Sequence, residues 1–143
     1  TNQDLKYARN RIRQELIPLL QEKFNPIVES NLAQTAELLQ AEVEFLEQAA
    51  KELREKAEVI NQENSSKTLV RLNRKVLQKA PLALQRRAIR QILQKIMPAA
   101  PNFEHIEKLV VLINAPNRSQ TDPFPGEILA VVESEWICLK NYI

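Results

Sequence analysis

The sequence predicts a mainly α fold: a helical bundle with one long helix and a small C-terminal β-hairpin. Three observations predict it. Apolar residues recur three and four positions apart through most of the chain up to residue 114. Glycine is nearly absent: Gly126 is the only one in 143 residues, against roughly 7% in ordinary proteins. Two runs rich in strand formers come only at the end, Ile128–Val132 and Trp136–Leu139, on either side of Glu133-Ser134-Glu135.

The first helix spans residues 3–22, with Leu5, Ala8, Ile12, Leu16, Leu19 and Leu20 on its apolar face and Asn2 placed to cap it. Pro18 has no N–H to donate and its ring opposes the preceding turn, which predicts a bend or an end near Ile17. Asn25-Pro26 restarts the chain as a cap followed by a first-turn proline. The second helix is long, about residues 26–61. Leu39, Val43, Leu46, Ala50, Leu53, Ala57 and Ile60 alternate four and three apart, a heptad seam for a partner helix. So short a seam points to an intramolecular helical hairpin ahead of a homodimer. Polar residues 61–66 end this helix.

Residues 68–72 read as one short strand or an extended lead-in. Asn73 caps a short helix to Lys79. Ala80-Pro81 opens a stronger one over 81–97, with Leu82, Ile89, Ile92, Leu93 and Ile96 on one side and Arg86, Arg87, Arg90, Gln91 and Gln94 on the other. Pro98 and Pro101 break it. Asn102 caps a helix over 102–114 with Phe103, Ile106, Leu109, Val110 and Ile113 inward. A proline-rich loop holding Gly126 comes next, and then the hairpin.

Composition excludes several chemistries. One glycine rules out a GxGxxG dinucleotide loop, a Walker-type phosphate loop and a GxSxG nucleophile elbow, each of which needs at least two. A single histidine, His105, and a single cysteine, Cys138, rule out a zinc cluster and an internal disulfide. No catalytic residue is predicted in this chain. No apolar run is long enough for a membrane span, and the N-terminus has no apolar core of a signal peptide. Thr1 in place of Met, leading at once into a charged helix, predicts a piece of a longer protein. A lone free thiol suits a reducing, cytoplasmic setting.

The formal net charge of +2 hides a strong segregation. Residues 26–64 carry nine acidic and three basic side chains, whereas residues 65–97 carry nine basic and no acidic ones. Such a basic stretch suits a polyanion. It equally suits neutralisation of the acidic helix before it, and charge alone leaves both readings open.

Two groups of residues are candidates for phosphate contact. Arg9 and Arg13 lie at i and i+4 with Asn10 beside them, so two guanidiniums can grip a phosphate while the amide reads or orients a neighbour. Ordinary solvated arginines are the alternative. Arg86, Arg87 and Arg90, with Arg74, Lys75 and Lys79 upstream, suit an RNA backbone or else ion pairs to the acidic helix. Cys138 reads as core, His105 as surface, and Trp136 and Phe124 as core packing rather than base stacking.

The run Arg9-Asn10-Arg11-Ile12-Arg13-Gln14-Glu15-Leu16-Ile17-Pro18, following Asn2, resembles a signature of bacterial tRNA(Ile)-lysidine synthases, which are PP-loop ATPases. Asn25-Pro26 with the long Leu/Glu helix, then Leu84–Leu93, then Phe124-Pro125-Gly126 and the hairpin are similar to the segments downstream of that signature in the family. The resemblance implies a parent enzyme that adenylates the wobble cytidine of a CAU-anticodon tRNA(Ile) with ATP and Mg, then joins free lysine to give lysidine. It implies that ATP and lysine bind a catalytic domain absent from this chain, and that no cofactor binds here. Residues 1–25 would be a linker helix after that domain, and 26–143 a helical tRNA-binding domain. Arg9, Asn10 and Arg13 would lie near the reacting nucleotide. Arg86, Arg87 and Arg90, with Arg74 and Lys75, would contact tRNA phosphates. The competing hypothesis is a helical protein-interaction module with no RNA role.

Overall fold

A computed structural model describes residues 2–60 and 67–143, with side chains from Tyr7 onward. The cap expected of the Asn2 side chain and the helix end expected at 61–66 lie outside the described part. The chain divides into two compact units, Thr1–Glu44 and Phe45–Ile143.

The first unit opens with α1, Asn2–Arg11, then a π-helical segment, Ile12–Leu16, then α2, Ile17–Lys23. Pro18 therefore does not end the helix. The Ile17 N–H donates to the Ile12 carbonyl, five residues back instead of four. This wider turn just ahead of Pro18 accommodates a residue that cannot donate and whose ring would strike the preceding turn. The Asn25 side chain accepts from the Ile27 N–H at 3.1 Å, turning the chain into α3, Val28–Ala57. The heptad seam does not form the predicted hairpin along this part: Leu39 and Val43 are exposed.

In the second unit the same helix meets the core, and Ala50 and Ala57 are buried. The helix then stops earlier than its spacing predicts. Glu58–Ile60 leaves it as strand β1, which pairs antiparallel with β2, Thr68–Asn73. Val59 and Ile60 are β-branched and favour that extended state. After β2 come α4, Arg74–Gln78, α5, Leu82–Ile96, α6, Phe103–Ile113, β3, Ile128–Glu133, and β4, Trp136–Asn141. The C-terminal hairpin is thus half of a four-stranded antiparallel sheet ordered β1-β2-β4-β3.

Strand alternation sorts this sheet into two faces. Val70, Leu72, Ala130, Val132, Ile137 and Leu139 point into one core shared with Ile89, Ile92 and Leu93 of α5 and Leu109, Leu112 and Ile113 of α6. The opposite face holds Arg71, Val131, Trp136, Cys138 and Lys140. Asn73 caps α4 by accepting from Val76 N–H at 3.3 Å. Asn102 caps α6, and His105 reciprocates by accepting the Asn102 N–H at 3.2 Å on Nδ1. His105 is therefore a half-buried capping residue rather than a surface one. Phe103 is exposed, not inward.

Candidate nucleic-acid interface

Arg9, Asn10 and Arg13 are exposed on the first unit, and among the described residues none has a side-chain hydrogen bond or ion pair. Arg13 falls inside the π segment, so its register to Arg9 is not that of a regular α turn. Between them Arg11 pairs with Glu15 at 3.5 Å.

The arginines of α5 are occupied. Arg86 donates through Nε to Glu107 Oε1 at 2.6 Å and through Nη2 to Oε2 at 3.1 Å, and lies 5.6 Å above the Phe103 ring. The exposed Phe103 ring lies beneath this ion pair. Arg87 donates to Glu47 at 2.6 Å, Arg90 donates to the same carboxylate oxygen, and Gln91 donates to the other at 2.9 Å. Glu47 belongs to α3, so two of the three arginines neutralise the acidic helix, one of the two readings that charge segregation allows.

These contacts set the ionisation of the acids. Partial burial pushes the Glu47 carboxyl up, but hydrogen bonds from Gln91 and Arg87 and the charges of Arg90 and Arg87 outweigh it, leaving it below its ordinary value. The Arg86 hydrogen bonds hold Glu107 below its own, and Glu107 in turn raises Arg86.

The basic residues before α5 are divided. Arg74 donates to three main-chain carbonyls: Ile113 at 3.0 Å, Ser134 at 3.0 Å, and Ala115. Its guanidinium ties the ends of α6 and of the β3–β4 turn to the start of α4, which is a structural task. Lys75 pairs with Glu135. Lys67 and Lys79 are exposed, with no ion pair among the described residues.

Sequence reasoning missed a second cluster of arginines on the outward sheet face. Arg71 of β2 places its guanidinium carbon 4.4 Å from the Trp136 ring centroid. An open groove of about 570 Å³ adjoins them, lined also by Asn117, Arg118, Glu133 and Glu135. Arg118 is exposed, and its backbone is left-handed, with φ at 71°. Its N–H donates to the Val132 carbonyl at 2.9 Å, while Asn117 accepts from the Ser134 N–H at 2.8 Å, so this loop is pinned to the β3–β4 turn. Both groove carboxylates are already paired, Glu133 with Lys140 and Glu135 with Lys75. Lys140 and the Cys138 thiol, both donating, hold Glu133 below its ordinary value. Strand alternation marks Arg71 as outward, but its meeting with Trp136 needs the β2–β4 pairing, which local sequence does not encode.

Residues 72–131 match the family model described as "TilS substrate binding domain". The chain is 65% identical to a protein named tRNA(Ile)-lysidine synthase from Nostoc sp., over 99% of this chain and 43% of that protein. It is 51% identical to one of the same name from Synechocystis sp., over 95% of this chain and 39% of that protein. A third, from Gloeobacter violaceus, is 44% identical over 97% of this chain and 40% of its own length. The chain thus spans about two fifths of the curated relatives it matches.

Proposed function

We propose that this chain, a member of the tRNA(Ile)-lysidine synthase family, is the part of such an enzyme that binds the tRNA. The observation that carries this reading is the match of a substrate-binding-domain model to residues 72–131. That span takes in most of the basic stretch and the whole of α4, α5 and α6. The parent would be an ATP-dependent, cytoplasmic ligase that converts the wobble cytidine of tRNA(Ile) to lysidine. Residues 1–25 would link its catalytic domain to the tRNA-binding part, 26–143. Among the described residues, no helix is long and apolar enough to cross a membrane.

The residues of this chain do not fit the catalytic groups. Its single glycine builds no phosphate loop, and among the described residues no cluster of three or more His, Cys, Asp or Glu could hold a metal. In this reading ATP, Mg and lysine would be held by the part of the enzyme outside this chain. What this chain supplies is positive charge held in fixed places. Arg9, Asn10 and Arg13 have their donors free, among the described residues, for a phosphate or a nucleotide edge. Arg86 and Arg90 keep 40% of their side chains exposed while paired, so a phosphate can share each guanidinium with its carboxylate. Arg87, more covered, holds α5 against α3. Lys75, paired with Glu135 but with 64% of its side chain exposed, can share a phosphate in the same way, whereas the Arg74 guanidinium is engaged by three carbonyls.

Filter binding of an unmodified tRNA(Ile) transcript over a range of salt tests this. Affinity falls linearly with the logarithm of salt, with a slope of roughly 0.7–0.9 per phosphate neutralised. Replacing Arg9 and Arg13 together by Gln lowers that slope, whereas Arg11→Gln does so less. A correctly folded chain that fails to retain tRNA even at low salt would overturn the proposal.

A further inference from the structure

We propose that the groove beside Arg71, Trp136 and Arg118 is a site for one unpaired nucleotide of an RNA chain, its base against the Arg71–Trp136 pair and its phosphate on Arg118. This rests on the reading that the chain binds tRNA, and adds a place and a mode to it.

Three features point to a nucleotide. The first is the stack itself. A half-buried indole with a guanidinium 4.4 Å from its centre presents flat, polarisable surfaces on the outward face of the sheet. Unpaired bases stack on such aromatic and guanidinium planes, while bases inside a duplex cannot reach them. The second is charge. The groove is lined by two arginines and two glutamates, and Lys140 and Lys75 pair with those glutamates from its margin, so the four cations outnumber the two acids around it. The third is the fixed position of Arg118. Its backbone adopts a left-handed conformation held by the Val132 carbonyl, with Asn117 anchored next to it. The pinned loop fixes where the Arg118 backbone stands, so its exposed guanidinium samples only positions around the groove mouth. A merely packed tryptophan needs neither the exposed Arg118 nor the open groove. An acidic peptide would use the charges but not the ring planes.

Trp136 is the only tryptophan in the chain, so its fluorescence reports this groove alone. The experiment titrates the whole chain with tRNA(Ile) transcript, with oligo(U), with a short RNA duplex and with polyglutamate, following Trp136 emission and, in parallel, filter retention. The proposal expects tRNA and oligo(U) to quench Trp136, and the duplex and polyglutamate to leave it nearly unchanged. Arg118→Gln should lower the salt slope for tRNA by about 0.7, one single-strand phosphate. Trp136→Leu should weaken tRNA binding about tenfold. If the leucine variant does not fold, the wild-type quench and the exposed Arg118 variant still decide. Retention of tRNA with no quench and no effect at Arg118 overturns the site and leaves the tRNA-binding reading standing. Equal quenching by polyglutamate overturns the nucleotide assignment. Loss of all tRNA retention overturns the underlying reading, and this one with it.

Discussion

Arg87 of α5 donates to the Glu47 carboxylate of α3 at 2.6 Å, in a site where the acceptor serves three donors at once. Charge segregation allows Arg87 either RNA contact or neutralisation of the acidic helix, and this contact is of the second kind. Removing the acid leaves Arg87 and Arg90 without this partner, while Gln91 keeps its 3.1 Å bond to the Glu47 main-chain carbonyl, so Glu47→Ala should destabilise the second unit by about 1–3 kcal/mol. Urea unfolding of the variant measures it, and an unchanged midpoint would show that the cluster is only solvated charge.

The same acids set a pH dependence. Glu47, Glu107 and Glu133 all ionise below their ordinary value in the folded chain. A carboxyl lowered on folding contributes stability that is full above its unfolded value and lost as pH falls through its folded one. The melting temperature should therefore hold through neutral pH and decline below the ordinary glutamate range. Glu47→Gln should flatten part of that decline. Thermal scans from neutral to strongly acidic pH would show it, and parallel curves for both proteins would rule out Glu47 as a contributor.

The sequence places Arg74 at the tRNA interface, and its three carbonyl acceptors give it a different signature. Arg74→Lys keeps the charge but loses the planar fork. It should cost about 2–3 kcal/mol of stability, with the tRNA salt slope unchanged. A lowered slope at unchanged stability would return Arg74 to the interface.

The part of the fold legible in the sequence is the part encoded within a few residues. Asn73 and Asn102 cap helices because their side chains reach an N–H three residues on, and that spacing is visible in the chain. The spacing of Arg86, Arg87 and Arg90 likewise shows that they share an arc of α5. Their partners are not legible, because Glu47 and Glu107 come from other elements. The exposure of Phe103 is hidden for the same reason: helical period places it inward, and its neighbour Arg86 comes from another helix. Strand β1 is hidden because Val59 and Ile60 continue an apolar helical spacing, and only a waiting β2 edge makes the extended state better. The groove at Trp136 depends wholly on such pairing.

Cys138 offers a chemical check on the sheet. It is buried on the outward face, and its thiol donates to Glu133 at 3.2 Å. Burial pushes the thiol up first, and the Glu133 hydrogen bond and charge push it further. Since the thiolate is the reactive form, Cys138 should stay almost unlabelled by a disulfide reagent at neutral pH and react fully in urea. Rapid labelling of the folded chain would mean that this face opens.

Gly126 is the one glycine, and its position shows why a chain otherwise free of glycine keeps it. Its φ is +87°, a conformation other residues adopt only under strain. A Cβ built there would also lie 3.0 Å from Pro98 Cδ, so an alanine meets both a backbone and a steric obstacle. Pro98 follows α5, and Gly126 lies just ahead of β3, so the contact joins the end of the basic helix to the strand beside the groove. Gly126→Ala should cost about 1–3 kcal/mol. Gly126→Asn would ease the backbone part alone, because asparagine tolerates the left-handed region but keeps the Cβ. If both variants unfold at the same urea concentration, the Pro98 contact dominates; if asparagine recovers most of the loss, the backbone does. A wild-type midpoint in both would show that neither φ nor the contact constrains this turn.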